Sequence, residues 1–531
     1  MSVPVGGGSR RLRSIADGGP ATEPPGVTVG AVLQAASVAA PDDDAFVVLG
    51  PAGRRAWTFA GLLDDATAVA RWLVAGRYVG RPVALWSPNT ADVVLAQMAV
   101  ALAGATLVPL NPSLRPDEVR HVLAVSGADL VLVAADYRGD DLPSIIRRVA
   151  RPDVEVVVLD GTGAELLGRG ATASAELPDV DPDSLAQVQF TSGTTGPAKG
   201  VRITHRAMAL TGRAFADRLG LRRDTPFLNP MPLFHTAGNV LGVMGTLNAR
   251  TAHVVMEFSP EATLAAIEAE RPAVVSLAPT LIHLVAGHPA FADADLSSVT
   301  TLFTGGMTMA PDVVADVERR FDARLAITFG MTETCGTAIM TSPTDPDEIR
   351  RTSVGRAMPL TEAKVVDAAG ATVPVGRPGE LLVRGPRITT GYVGDPEATG
   401  RAIDADGWLH TGDEAAMDAN GVFRITGRLK DMIKTGGENV APVEVEEVVA
   451  AHPSVDVVAV VGRPDERWGE VVLAFVVPVA GTTIDLAELT AFCRERLAPF
   501  KIPREWRIVD DLPRTGSGKV QRAVLRTQVT G

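Results

Sequence analysis

Thr191-Ser192-Gly193-Thr194-Thr195-Gly196-Pro197-Ala198-Lys199-Gly200 is the stretch from which the rest of the chain becomes readable. Five of the six positions after Thr191 are glycine or carry a hydroxyl, and a single lysine follows. Glycines let a backbone turn its N–H groups inward, hydroxyls add donors, and an ammonium adds a point charge; together they make a cradle for a polyphosphate. The apolar-leaning Val188-Gln189-Phe190 before it reads as the end of a strand. The loop is therefore expected at the carboxyl edge of a sheet, where open α/β folds bind ligands. Its spacing is not that of a Walker loop, which needs four residues between its first glycine and Gly-Lys-Ser/Thr. A flexible linker is also rich in Gly, Ser and Thr, but a linker has no reason to follow a strand in this order.

The chain has 531 residues, too many for one core, so two or more domains are expected. With 46% hydrophobic and 21% charged residues, the composition is that of an ordinary globular protein. The formal net charge is −13 and the densest basic cluster is Arg10-Arg11-Leu12-Arg13, which argues against a nucleic-acid surface. Cys335 and Cys493 are too few for a disulfide framework or a metal cluster, and a reducing cytoplasm fits them best. Val93–Leu110 is nearly long and apolar enough to span a bilayer, yet Gln97, Gly104 and Pro109 interrupt it. A buried helix running into a buried strand is the expected form, with no transmembrane segment. Residues 1–26, rich in Gly, Pro, Ser and Arg without periodicity, read as a disordered tail rather than a targeting peptide. Only six of the 50 basic residues are lysines, and Lys199, Lys430, Lys434 and Lys519 all stand in or beside glycine-bearing segments.

From Val27 to about Thr300, short β-rich runs alternate with longer amphipathic ones. Pro82–Trp86, Asp129–Val133 and Val154–Leu159 read as buried parallel strands, and Thr58–Ala75 as a helix between such strands. This is a doubly wound α/β pattern. Across residues 363–426 the texture changes to alternating strands with Asp-Gly and Asn-Gly turns, which predicts an antiparallel subdomain in the form of a distorted β-barrel. A small α+β unit follows, so residues 27–428 are expected as a large N-terminal domain and 429–531 as a small C-terminal one.

Four further segments gain weight from occurring together. They are Phe329-Gly330-Met331-Thr332-Glu333, Gly407–Asp413, Gly427–Lys434 followed by Gly436-Gly437-Glu438-Asn439, and Pro513–Lys519. With the Thr191 loop, in this order and over this length, the set resembles the adenylate-forming superfamily of acyl-CoA synthetases, peptide-synthetase adenylation domains and beetle luciferases. The resemblance covers the chain from about Val27 onward, and its acyl-CoA synthetase branch is the one expected.

The resemblance implies a mobile C-terminal domain and two half-reactions, with ATP, CoA and Mg²⁺ taking part. A carboxylate displaces pyrophosphate from ATP to give acyl-AMP; the small domain then rotates, and CoA displaces AMP. It assigns Thr191, Ser192, Gly193, Thr194, Thr195, Gly196 and Lys199 to the β- and γ-phosphates. Glu333 is assigned to Mg²⁺, and Thr332 to the α-phosphate. Phe329 stacks on adenine beside Gly330 and Met331, and Asp413 and Arg428 hold the ribose. Lys519, on a Gly-Ser-Gly loop, reaches the carboxylate and α-phosphate during adenylation. Lys430 matches the hinge, and Lys434, Gly436, Gly437 and Glu438 match the segment that faces CoA. A homodimer stays an open alternative, since such pairs are frequent in the family.

Pro232–Asn239 matches the stretch that gates the acyl site, with His235 as a gate or wall. It lacks the Asp with which amino-acid-adenylating relatives hold an amine, so an amino acid is not the expected substrate. Gly238, Gly242, Gly305, Gly306 and Gly330 are read as leaving space for a sizeable apolar acyl group: a medium-to-long fatty acid or a bulky aromatic or polycyclic acid. Two positions depart from the family pattern. Phe329 stands where Tyr is common, and Met307 follows Gly305-Gly306 where a small residue is usual. Met307 either reshapes the end of the acyl pocket or crowds the nucleotide. Two alternatives to a full ligase stay open: an enzyme that mainly thioesterifies a supplied acyl-AMP, and a nucleotide-binding protein without turnover.

Overall fold

The computed structural model describes residues 13–529 apart from 21, 23, 25, 51, 52, 192–197, 307, 308, 436, 437, 466 and 515–519. Its helices and strands follow from local sequence. Phe59–Ala75 is a helix because Phe59, Leu62, Ala66, Val69, Ala70 and Leu73 fall on one buried face, and because the Thr58 hydroxyl caps it by accepting from the Gly61 N–H at 3.1 Å. Ala91–Leu102 is apolar on every side and correspondingly buried along its whole length. It runs through Gly104 into the buried strand Thr106–Leu110, so Val93–Leu110 is a helix and a strand as expected. Among the described residues, no helix is long and apolar enough to cross a membrane.

Two sheets sandwich these helices. The first runs Gly200–Thr204, Leu185–Phe190, Thr106–Leu110, Pro82–Trp86, Leu130–Ala134, Glu155–Leu159. It is parallel except at the hairpin Leu185–Phe190/Gly200–Thr204, which brings the residue 191–199 loop to its edge. The second, 14-stranded among the described residues, has a parallel half that includes Val274–Ser276, Thr301–Gly305 and Arg324–Phe329. Its antiparallel half consists of Ile339–Met340, Gly355–Ala357, Val422–Arg428, Leu409–Met417, Gly379–Arg384 and Glu362–Val366. The antiparallel unit thus joins the parallel half through Ile339–Met340 instead of standing apart. A separate sheet of Glu438–Val440, Ile433–Thr435, Gly469–Pro478, Val455–Asp465 and Glu505–Ile508 carries the small C-terminal domain.

One expectation needs correction. Residues 15–17, assigned to a disordered tail, form the strand Ile15–Asp17, paired antiparallel with Glu362–Lys364. Ser14 is fully buried and Ala16 belongs to the antiparallel unit's core. The pattern is too short to show periodicity; what orders it is the unpaired edge of Glu362–Val366.

Two buried histidines make the fold acid-sensitive. His205 accepts from the Val29 N–H, and His253 lies between the rings of Phe46 and Phe227. Burial lowers their pKa values from 6.5 to about 4 and about 3. Below pH 6.5 the unfolded chain takes up protons that the folded chain refuses, so stability falls as pH drops from 6.5 toward 4. Asp92, raised to about 6 chiefly by burial, acts in the opposite sense. Urea unfolding at stepped pH is expected to show the fall, and His253→Gln to make it shallower.

Candidate active site

The site is built from the carboxyl ends of strands in both sheets. Leu185–Phe190 delivers Thr191, whose N–H donates to the Lys199 carbonyl at 3.1 Å and closes the loop at its base. His121 Nε2 bonds the Ala198 carbonyl at 2.7 Å and holds that base from the outside. Ser192, Gly193, Thr194, Thr195 and Gly196 lie outside the described residues, as do Met307, Gly436, Gly437 and Lys519.

In the second sheet, Arg324–Phe329 ends at Gly330, and the chain turns through Thr332–Thr334. A Cβ at Gly330 would stand 2.2 Å from the Gly336 carbonyl oxygen, so the backbone can double back only because that atom is missing. The turn is locked by the Thr334 hydroxyl, which accepts from the Met331 N–H at 2.9 Å. It leaves Thr332 and Glu333 buried, at 9% and 6% exposure. Phe329 and Met331 pack on the core of the antiparallel unit, beside Leu409 and Ile425. That unit also carries the ribose candidates: Asp413 pairs in register with Arg428, and Arg428 Nε donates to Asp413 Oδ1 at 2.8 Å.

The stretch of Tyr392 and its neighbours, missed in the sequence, joins the two halves. The Tyr392 hydroxyl donates to Glu333 Oε1 at 2.8 Å, and the Thr389 N–H donates to the Glu333 carbonyl at 2.8 Å. Tyr392 forms a β-bridge with Val201, and the Lys199 ammonium stands 5.1 Å from the centre of its ring. Burial and the Glu333 carboxylate raise the phenol's pKa, so it remains a donor. Tyrosine is scarce here, with three in the chain. That scarcity, together with the small and hydroxyl-bearing residues around it, was the available signal.

The stretch read as an acyl gate is tied to the strand Leu185–Phe190. Gln189 Nε2 donates to the Phe234 carbonyl at 2.8 Å, next to His235, whose Nδ1 accepts from the Ala237 N–H. Ala237–Gly242 is a turn of π-helix, a form frequent at functional sites, and Thr236 and Leu241 pack on Gly336 behind the Glu333 turn.

The glycines read as pocket space do something else. A Cβ at Gly238 would lie 2.2 Å from the Pro232 carbonyl oxygen, and one at Gly305 would lie 2.6 Å from Thr328 Cγ2. Gly242 and Gly330 are equally crowded, by Asn229 and by Gly336. These four serve close packing, and Gly306 takes a left-handed backbone with φ 84°. The sequence shows where glycine stands but not which neighbour fills the space above it.

The CoA candidates lie on the small domain. Lys434 is exposed on Ile433–Thr435, its N–H donating to Glu470 Oε2 at 2.7 Å, and Glu438 pairs with Thr435 across the hairpin. Lys430 sits in the turn Leu429–Asp431 between the two domains' sheets. Its ammonium is pushed below the ordinary lysine range, first by loss of hydration and then by Arg428. The loop that holds Lys519 is closed at its base by a bridge between Arg514 and Val520 and by the Gln521 N–H on the Pro513 carbonyl at 2.7 Å.

Residues 33–393 match the family model described as AMP-binding enzyme, and residues 444–519 match its C-terminal domain. The chain belongs to the AMP-binding enzyme family. A relative in Mycobacterium tuberculosis, a 3-[(3aS,4S,7aS)-7a-methyl-1,5-dioxo-octahydro-1H-inden-4-yl]propanoyl:CoA ligase, is 38% identical over 94% of this chain and 98% of its own. A human medium-chain acyl-CoA ligase is 32% identical over 94% and 87%. The crystal structure of an anthranilate CoA ligase in complex with anthranoyl-AMP superposes with a TM-score of 0.87, at 26% identity over 95% and 97% of the two chains. This AMP-binding enzyme is an AMP-forming acid–thiol ligase, an acyl-CoA synthetase that uses an acid, ATP and CoA.

Gly330→Ala is expected to lower thermal stability and to weaken ATP binding by at least about tenfold, because the Met331–Glu333 turn must shift to admit the methyl group. Titration calorimetry with ATP checks this.

Proposed function

We propose that this synthetase activates a bulky or medium-to-long apolar carboxylic acid, with adenylation and thioester formation on one site and a rotation of the small domain between them. What supports this reading is that residues 389–393 tie the strand leaving the 191–199 segment to the Glu333 turn, and that the Asp413–Arg428 pair lies on the same sheet as that turn.

In the first step, an acid oxygen forms a bond to the α-phosphorus of ATP, the bond to the β-phosphate breaks, and pyrophosphate leaves. A carboxylic acid is already ionised at neutral pH, so this step needs no general base. It needs two anions held together and their charge neutralised. The 191–199 loop with Lys199 takes the terminal phosphates; Thr332 bonds the α-phosphate; Lys519 bridges the α-phosphate and the acid. Phe329 stacks on adenine, with Asp413 and Arg428 on the ribose.

Among the described residues, no group of three or more His, Cys, Asp or Glu side chains can hold a metal ion. Mg²⁺ binds through one or two carboxylates, water and substrate phosphates. Glu333 would be that carboxylate, and the ion would supply charge neutralisation at the phosphates.

In the second step, the CoA sulfur bonds the acyl carbon, the bond to AMP breaks, AMP leaves, and the thiol proton is released. Lys434, Gly436, Gly437 and Glu438 are assigned to the incoming thiol arm. Lys430 is the hinge, supported by its turn lying between the last strand of the large domain, Val422–Arg428, and the first of the small one, Ile433–Thr435. We set the domain boundary at residues 428/429.

The substrate class is supported by the relatives' names, which span a bicyclic propanoate, medium-chain acids and an aromatic acid. With the glycines packed, the selecting surface is assigned to the side chains of 234–241, His235 among them.

Acid-dependent ATP–pyrophosphate exchange across fatty, aromatic and polycyclic acids, beside thioester formation from supplied acyl-AMP and CoA, tests this. The expected result is exchange with one acid class and thioester formation with the same class. Lys519→Ala should cut exchange by about 100-fold or more while leaving thioester formation in place. Thioester formation without exchange for any acid would instead establish the enzyme as a thioesterifying variant.

A further inference from the structure

Glu333 is 6% exposed, and among the described residues the hydrogen bond to its carboxylate comes from the neutral phenol of Tyr392. A buried carboxylate in that setting is short of positive charge. Its neighbour is unusually well fixed. The Tyr392 N–H donates to Thr399 Oγ1 at 3.0 Å, the Val393 N–H donates to the Gly200 carbonyl at 2.8 Å, and the Arg202 N–H donates to the Gly391 carbonyl at 3.0 Å. Thr389 Oγ1 donates to the Arg202 carbonyl at 2.8 Å. Tyr392 is therefore stitched to the strand that leaves the phosphate loop, while its hydroxyl reaches across to the turn of the other sheet. The other face of the same contact is the Lys199 ammonium, 5.1 Å from the ring centre.

We propose that Tyr392 is a positioning residue for adenylation: its phenol occupies Glu333 Oε1 and leaves Oε2 for the metal-bearing triphosphate, while its ring backs Lys199. This rests on the assignment of Glu333 to Mg²⁺. A partner that fixes a ligating carboxylate typically accounts for 10- to 100-fold in metal affinity or activity. Removing only the hydroxyl should therefore act on the magnesium-dependent part of ATP binding and on the first half-reaction, and leave the second untouched.

The test is Tyr392→Phe, which keeps the ring. Titration calorimetry measures ATP affinity with and without Mg²⁺, exchange and thioester formation are assayed separately, and thermal melting monitors the fold. The expected result is an ATP affinity about 10- to 100-fold weaker in Mg²⁺ and unchanged without it, a matching fall in exchange, unchanged thioester formation from supplied acyl-AMP, and a melting midpoint lowered by no more than about a few degrees. In a Glu333→Gln background, Tyr392→Phe should add little, because both changes act through one carboxylate. Tyr392→Leu, which also removes the ring, should weaken ATP binding even without Mg²⁺.

Equal loss of both half-reactions with a midpoint lowered by more than about a few degrees would reduce Tyr392 to a packing residue and overturn the proposal. Full multiplication of effects in the double variant would overturn it too. A magnesium-dependent parent with a silent Tyr392→Phe would overturn this inference alone. A parent whose ATP affinity ignores Mg²⁺ would overturn the Glu333 assignment along with it.

Discussion

The clasp at residues 389–393 is the constraint on which the site depends. Two sheets that share a helical layer bring their carboxyl edges together at the candidate site, and neither sheet alone fixes that alignment. The segment does so with main-chain bonds on one side, to Gly200 and Arg202, and with the Thr389 N–H and Tyr392 hydroxyl on the other, both to Glu333. Each bond contributes only about 1 kcal/mol net. Their value is geometric: they hold the strand that starts at Gly200 and the Glu333 turn as one unit. Arg387, wholly buried, extends the same segment by donating to the Thr337 and Pro359 carbonyls at 3.1 Å, behind the turn.

Close backbone approach is the second organising device. Gly330 lets the chain fold against Gly336, and Gly238 lets the gate stretch cross Pro232. Glycine at these points fixes the framework of the candidate site by close packing and does not leave open space there. The buried amides of Gln187, Gln189 and Asn239 run from the phosphate strand to the π-helical turn, with Gln187 Nε2 donating to Gln189 Oε1 at 2.8 Å. The 232–239 stretch and the base of the 191–199 segment therefore share one strand, Leu185–Phe190, as a common support.

Much of this was legible in the sequence, for identifiable reasons. Amphipathic patterning placed Phe59–Ala75 to within a residue, and β-rich runs placed Pro82–Trp86 with its ends. Short-range motifs singled out Phe329–Glu333 and Asp413, and the resemblance supplied the roles proposed for them. What escaped depends on long-range partners. Tyr392 meets Glu333 from 59 positions away, and Ile15–Asp17 is ordered only by an edge strand some 350 residues later, which is about as non-local as a contact can be in such a chain. The glycines were misread for the same reason, since the atoms that crowd them come from other segments. The family gave the loop 191–199 and Lys519 their roles, and both lie in stretches outside or bordering the described residues.

The account rests on one ligand spanning the seam, and a crystal structure with ATP and Mg²⁺ tests it most directly. It predicts the terminal phosphates along residues 191–199, the metal on Glu333 Oε2 with Oε1 still bonded to Tyr392, adenine against Phe329, and the ribose on Asp413. A nucleotide bound elsewhere, or a metal that displaces Tyr392 from Glu333, would contradict it.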